Sequence, residues 1–377
     1  MARHLPLKAD HVGSFLRTGP LKEARASYRA GNLSQVALRL VEDQEIEKLI
    51  KKQIDVGLKA ITDGEFRRAW FMHDFFWGLE GVEYTKREGG IAFKGETTSA
   101  DSYKVTGKIR FGAHYMIQDF AYLKRKVDEH GDGSQLAKVT IPSPSQMLYR
   151  IPSDQEKELY PNLHDLFEDL AIAYQETVQK FYEAGCRYLQ LDDTVLSALA
   201  DPEFPHFLEK ISGLKIDELV ALLVKTIQVA LKDKPEDMIV ATHMCKGNFK
   251  STYLYEGGYE QVAKFFDQLP YDSYFLEYDD ERSGGFEPLQ EIINKDITVV
   301  LGLISSKNGE LEDKEAIIQR IKEASQSISL DQLALSPQCG FSSTEEGANN
   351  LTEEEQWNKI KHVIEIAEVV WGKVPVQ

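Results

Sequence analysis

Cysteine is scarce in this chain: three among 377 residues, Cys186, Cys245 and Cys339. An odd, widely spaced set is no disulfide framework, and reduced thiols in a cytoplasmic protein are the expectation. Positive charge is also in deficit, with 44 Lys and Arg against 61 Asp and Glu and a formal net charge of −17. That balance argues against nucleic acid, whose phosphates demand a basic surface. It does not restrict a small substrate, because a cleft can carry local charge opposite to the net sign. Long apolar runs are missing too: none approaches the roughly 18–20 residues that span a bilayer. The N-terminal stretch MARHLPLKADHVGSF lacks the apolar segment of a secretory signal. No membrane or nucleic-acid partner is expected, and nothing argues against a homo-oligomer.

What is present is ample core material, with 42% apolar and 28% charged residues. Eight strand-like runs recur along the chain, most followed by a helix-like stretch. They are ADHVGSF, LKAITDGEF, KVTIPSP, RYLQLDD, MIVATHMC, SYFLEYDD, ITVVLGLISS and LALSPQCGF. A final helix is marked by Trp357, Ile360, Ile364, Ala367 and Trp371 at alternating spacings of three and four. Near-continuous apolar strands separated by helices indicate parallel β-structure buried on both faces. The expected fold is therefore α/β, a (β/α)8 TIM barrel forming one domain over residues 1–377. Such a barrel typically needs about 250 residues. Part of the surplus lies at 82–111, where Gly-Gly and alternating polarity predict an antiparallel hairpin inserted after the second strand. A second polar insertion runs from about Tyr149 to Pro161.

Functional residues of a barrel gather at the C-terminal strand ends. Those ends hold Gly13 and Ser14, then Asp63 and Glu65, then Asp192 and Asp193, then His243 and Cys245, then Glu277, Lys307 and Cys339. In an extended segment residues i and i+2 share a face, so His243 and Cys245 can converge on one ion. Two thiolates, an imidazole and a carboxylate suit Zn2+, which takes S, N and O donors at about 2.0–2.3 Å. Alone, a cysteine near a strand is most often a small buried hydrophobe. That reading fits Cys186 in the turn EAGCRY.

The segments HVGSF, DGEF, LQLDD, HMCKGNF, the Glu of FLEYDD and SPQCGF give the chain a strong resemblance over almost its full length. It resembles the cobalamin-independent methionine synthase family, specifically the C-terminal catalytic domain, as a short stand-alone homologue. The resemblance implies methyl transfer to the thiol of homocysteine, with methyl-tetrahydrofolate as donor. It makes His243, Cys245, Glu277 and Cys339 the ligands of a zinc ion that holds the thiol as thiolate near neutral pH. It assigns Glu65 and Asp192 to the substrate ammonium and the backbone around Gly13 and Ser14 to its carboxylate. Asp193 is expected to cap or support, and Asp63 to be structural.

One departure stands at GLISSKNGE, where Lys307 occupies the place of a family histidine that helps deliver a proton to the departing pterin. A lysine with a pKa near 10.4 is a poor acid at pH 7 unless its pKa is lowered. Sulfonium donors such as S-methylmethionine, or a methyl-corrinoid, need no such proton. The Trp70, Phe71 and Trp77 cluster could stack a pterin or simply pack beside the barrel mouth. Related zinc enzymes that act on coenzyme M need a basic pocket in place of Glu65 and Asp192. Decarboxylases of similar fold lack the metal set. A zinc-stabilised binding protein would hold its ligands at short spacings, unlike these.

Overall fold

The computed structural model describes residues 7–372. Among the described residues nine strands form, here β1 (Ala60–Ile61), β2 (Glu80–Lys86), β3 (Asp101–Arg110), β4 (Leu136–Pro142), β5 (Tyr188–Asp192), β6 (Ile239–Met244), β7 (Ser273–Glu277), β8 (Thr298–Ile304) and β9 (Leu333–Pro337). Seven of them make one sheet in the order β1-β4-β5-β6-β7-β8-β9, and each neighbouring pair is parallel. The other two, β2 and β3, pair antiparallel, with Val82 opposite Val105 and Lys86 opposite Asp101. The α/β class and the separate antiparallel pair agree with expectation.

The first run differs. Residues 9–15 form no strand, only a single parallel bridge from Ala9 to Leu335. The reason is local: side chains from inside the sheet take the carbonyls a strand partner would need. Lys138 Nζ donates to the His11 carbonyl at 2.6 Å, Gln190 Nε2 to Val12 at 2.8 Å, and Thr62 Oγ1 to Gly13 at 2.6 Å. Gly13 itself sits at φ +139, where a Cβ would lie 2.6 Å from Thr140 Cγ2. Only glycine tolerates that position.

Strand residues in steps of two face the enclosed side of the curled sheet. There Ala60, Tyr188, Ala241, Phe275, Val300 and Ala334 form their own small core. The outer faces pack beneath the helices in a second, far larger apolar cluster. Each fully buried Leu, Ile or Phe of that cluster contributes about 1.5–3 kcal/mol. The closing helix, Glu353–Trp371, starts with a capping box between Thr352 and Glu355, which satisfies two orphan backbone N–H groups. Its inward face is Trp357, Ile360, Val363, Ile366 and Ala367. Ile364 and Trp371 are only partly buried, so the face is rotated from the one the spacing predicts. No helix among the described residues is long and apolar enough to cross a membrane.

Candidate active site

The C-terminal strand ends converge as the parallel register requires, with Pro142 beside Asp192 and Asp192 beside His243. One cavity of about 380 Å³ opens there. Ser14, Glu65, Asp192, His243, Cys245 and Cys339 all line it. Gly13, Glu277 and Lys307 are not in its wall.

Within the cavity, ligating atoms of His243, Cys245 and Cys339 lie within 4.8 Å of one another. All three residues are buried, and neither ring nitrogen of His243 has a hydrogen-bond partner among the described residues. Buried imidazole nitrogens are normally satisfied; His73 shares this state, but of the two only His243 lines the cavity. The two thiols titrate together: the neighbouring Cys339 thiol holds Cys245 well below its usual range, and Cys245 pushes Cys339 well above it. Burial opposes a charged His243, but the neighbouring Cys245 outweighs it and raises the imidazole pKa. Two sulfurs and one nitrogen gathered this way suit a thiophilic divalent ion.

Glu277, the fourth expected ligand, stands apart from that trio with its carboxylate occupied. Its Oε2 accepts from the Lys246 N–H at 2.7 Å, and its Oε1 meets Arg282 Nη2 at 2.9 Å and Lys307 Nζ at 3.2 Å. Lys307 also pairs with Asp279 at 3.2 Å. Burial disfavours the ammonium, yet Glu277 and Asp279 outweigh it and raise its pKa. That is the wrong direction for an acid at neutral pH.

Glu65 and Asp192 are two buried carboxylates in the cavity wall. Glu65 lies at φ +59, its Oε1 accepts from Thr140 Oγ1 at 2.9 Å, and its Oε2 is buried without a partner among the described residues. Asp192 accepts from Gln190 Nε2 at 2.7 Å. Burial, with Glu65 adding to it, pushes the Asp192 carboxyl up to about 7. A cationic ligand group beside Asp192 would offset that penalty. Ser14 is held by close approach, since Gly340 packs on its hydroxyl and leaves no room for a Cβ.

Asp193 accepts from the N–H groups of Val195 and Leu196 and from Ser145 Oγ at 2.7–2.9 Å, which makes it a cap. Asp63 accepts from the Glu65 N–H in the turn. Cys186 is buried, and burial pushes its thiol up to about 12, so it stays an inert thiol. Trp70 and Phe71 reach the cavity, whereas Trp77 does not and instead donates Nε1–H to the Ser102 carbonyl.

Sequence reasoning missed the roof. The loop joining β2 and β3 folds over the cavity and lines it with Arg87, Ile91 and Phe93. Lys94 pairs with Glu256 at 2.8 Å, Lys250 with Glu96 at 3.0 Å, and Phe93 stacks on Phe249 at 5.3 Å. The hairpin is therefore latched onto the loop that follows Cys245. Arg282 and Asp279 were missed as well, although the run YDDER just after the expected Glu277 was a visible cluster of charge.

Residues 7–368 match the family profile described as "Cobalamin-independent synthase, Catalytic domain". YxjH of Bacillus subtilis is 47% identical over 98% of this chain and 96% of its own length. A solved Listeria monocytogenes structure, described as a candidate vitamin-B12-independent methionine synthase, is 41% identical with a TM-score of 0.79. It covers 98% of this chain and 100% of that one. A protein named methionine synthase from Saccharolobus solfataricus is 22% identical over 88% of this chain and 86% of its own. The chain belongs to the cobalamin-independent methionine synthase family, matching its catalytic domain, and is a methyltransferase.

Proposed function

We propose that this chain transfers a methyl group to the thiol of homocysteine, giving methionine, from a TIM-type barrel that residues 9–15 close as eighth member. The single observation that supports it most is the cavity that joins the His243–Cys245–Cys339 cluster to the carboxylates Glu65 and Asp192. His243, Cys245 and Cys339 would hold Zn2+, with Glu277 as the fourth donor. Bound there, the ion would supply Lewis acidity that keeps the substrate thiol deprotonated near neutral pH.

The remaining work falls to the chain itself. Glu65 and Asp192 receive the ammonium of the amino acid, and backbone N–H groups at Gly13 and Ser14 receive its carboxylate. Arg282 and Lys307 hold the Glu277 charge whenever it is not on a cation, so Glu277 is the donor best able to yield its place. Lys307 is thereby a positioning residue, in preference to the proton donor expected from its place in the sequence. The hairpin roof excludes water around the reacting sulfur. Methyl-tetrahydrofolate is the donor we favour, with a sulfonium or a methyl-corrinoid as the second reading, because Lys307 is poorly suited to protonate a leaving pterin.

Methionine formation by the zinc-loaded chain from homocysteine, with mono- and polyglutamylated methyl-tetrahydrofolate in parallel, tests this. Turnover supports the whole reaction. A zinc-bound protein that activates no thiol overturns it, and one that works only with sulfonium or corrinoid donors transfers the assignment to those.

A further inference from the structure

The polar groups of the cavity fall into two sets. Strand ends supply acids and metal-type donors, and the hairpin supplies one cation. Arg87 is the sole lysine or arginine among the described lining residues. It has no ion pair among them. Its Nη2 donates to the Tyr149 carbonyl at 3.0 Å and touches Ser102 Oγ at 3.4 Å. Its Nε is buried and donates to nothing. The guanidinium is thus pinned through Nη2, while Nη1 makes no hydrogen bond among the described residues and is not buried; Ile91, Phe93 and Phe71 set an apolar wall nearby. Burial, the leading influence on it, depresses its pKa, and no carboxylate compensates. A half-buried cation with no counter-charge among its described neighbours is open to a ligand that brings one.

We propose that Arg87 is the anion-recognition residue on the hairpin side of the cavity, taking one carboxylate of a ligand whose body is apolar. This rests on the methyl-transfer reading: with the amino acid at Glu65 and Asp192, the hairpin side is left for the donor. A single carboxylate balances this cation through a charge-assisted hydrogen bond from Nη1, whereas a phosphate dianion or a chain of several carboxylates would meet only this one cation. The site therefore reads the first negative charge of a donor and is indifferent to further ones. Arg87 is a specificity determinant and takes no part in bond making.

The test uses the full chain and two probes that differ by one charge: hippurate, an aromatic carboxylate, and hippuramide, its neutral amide. Binding is followed by calorimetry, without homocysteine. Wild type should prefer hippurate by about 10-fold, the scale of a charge-assisted hydrogen bond. Arg87→Met should bring the ratio to about one while hippuramide affinity and Tm stay put, and Arg87→Lys should keep part of it. A merely structural role would weaken both probes alike. The proposal is overturned by an equal affinity for both probes in wild type, by undetectable hippurate binding, or by a ratio that survives Arg87→Met. If Arg87→Met does not fold, the wild-type ratio and Arg87→Lys still decide. Methionine formation is scored separately, so a chain that keeps the hippurate preference but transfers no methyl group sinks the reaction assignment alone.

Discussion

Near the beginnings of the parallel strands the interior holds Lys138 and Asp10. Near their ends it holds His243, Glu65 and Asp192. Lys138 is fully buried, with its Nζ 3.3 Å from Asp10 Oδ1 and 2.6 Å from the His11 carbonyl. Asp10 also accepts from Tyr188 O–H and from the His11 N–H at 2.6–2.7 Å. At the other end, both nitrogens of His243 and one oxygen of Glu65 have no partner among the described residues. The two regions share depth and polarity and differ in satisfaction. Lys138 and Asp10 find their partners inside the fold, whereas His243 and Glu65 keep buried polar atoms without one among the described residues.

Breaking the unsatisfied end should leave the fold intact. Cys339→Ser is expected to lose bound zinc and at least about 100-fold in methyl transfer, with little change in Tm, as read by metal analysis and turnover. Full zinc and full turnover in that variant would remove Cys339 from the site. Breaking the satisfied end should do the reverse. Lys138→Met strands a buried carboxylate and should cost about 3–5 kcal/mol in urea unfolding, with zinc content per folded molecule unchanged.

Buried histidines away from the cavity set an acid limit. His114 Nε2–H donates to the Phe75 carbonyl at 2.8 Å while Nδ1 accepts from the Met116 N–H, an arrangement that requires the neutral ring. Burial lowers its pKa to about 4, and burial lowers His11 and His73 to about 4 and about 3. The unfolded chain binds these protons from about pH 6.5 downward and the folded chain does not, so stability is present above pH 6.5 and is lost as pH falls toward 4. His114 alone accounts for up to about 3 kcal/mol of that loss. His114→Gln should flatten the curve between pH 6.5 and 4, and an unchanged slope would show the ring is already charged.

Two milder substitutions sharpen the contrast. Asp192→Asn should keep zinc and raise the KM for homocysteine about 10-fold, the scale of a charge-assisted hydrogen bond; an unaltered KM would detach Asp192 from the ammonium. Cys186→Ala should cost about 1 kcal/mol and leave zinc and turnover alone, since this cysteine belongs to the core.

Much of the fold was legible because strand ends carry their chemistry in short words. HMC placed His243 and Cys245 on one face through the period of two, and parallel register then set Asp192 beside His243. Residues 9–15 misled because their strand-like pattern says nothing of Lys138, Gln190 and Thr62 reaching in to take the carbonyls. Lys307 is a similar case. Its position suggested an acid, and its two carboxylate partners came from another strand end.

The sequence by itself determined the eight strand-like runs, the hairpin, and the residue types able to bind a thiophilic metal, because periodicity and donor chemistry are local properties. The tertiary structure decided which three of those donors meet, that Glu277 is tied to Arg282 and Lys307, and that the hairpin roofs the cavity with Arg87. Those outcomes depend on distances between residues far apart in the chain, and only packing of the whole sheet sets them.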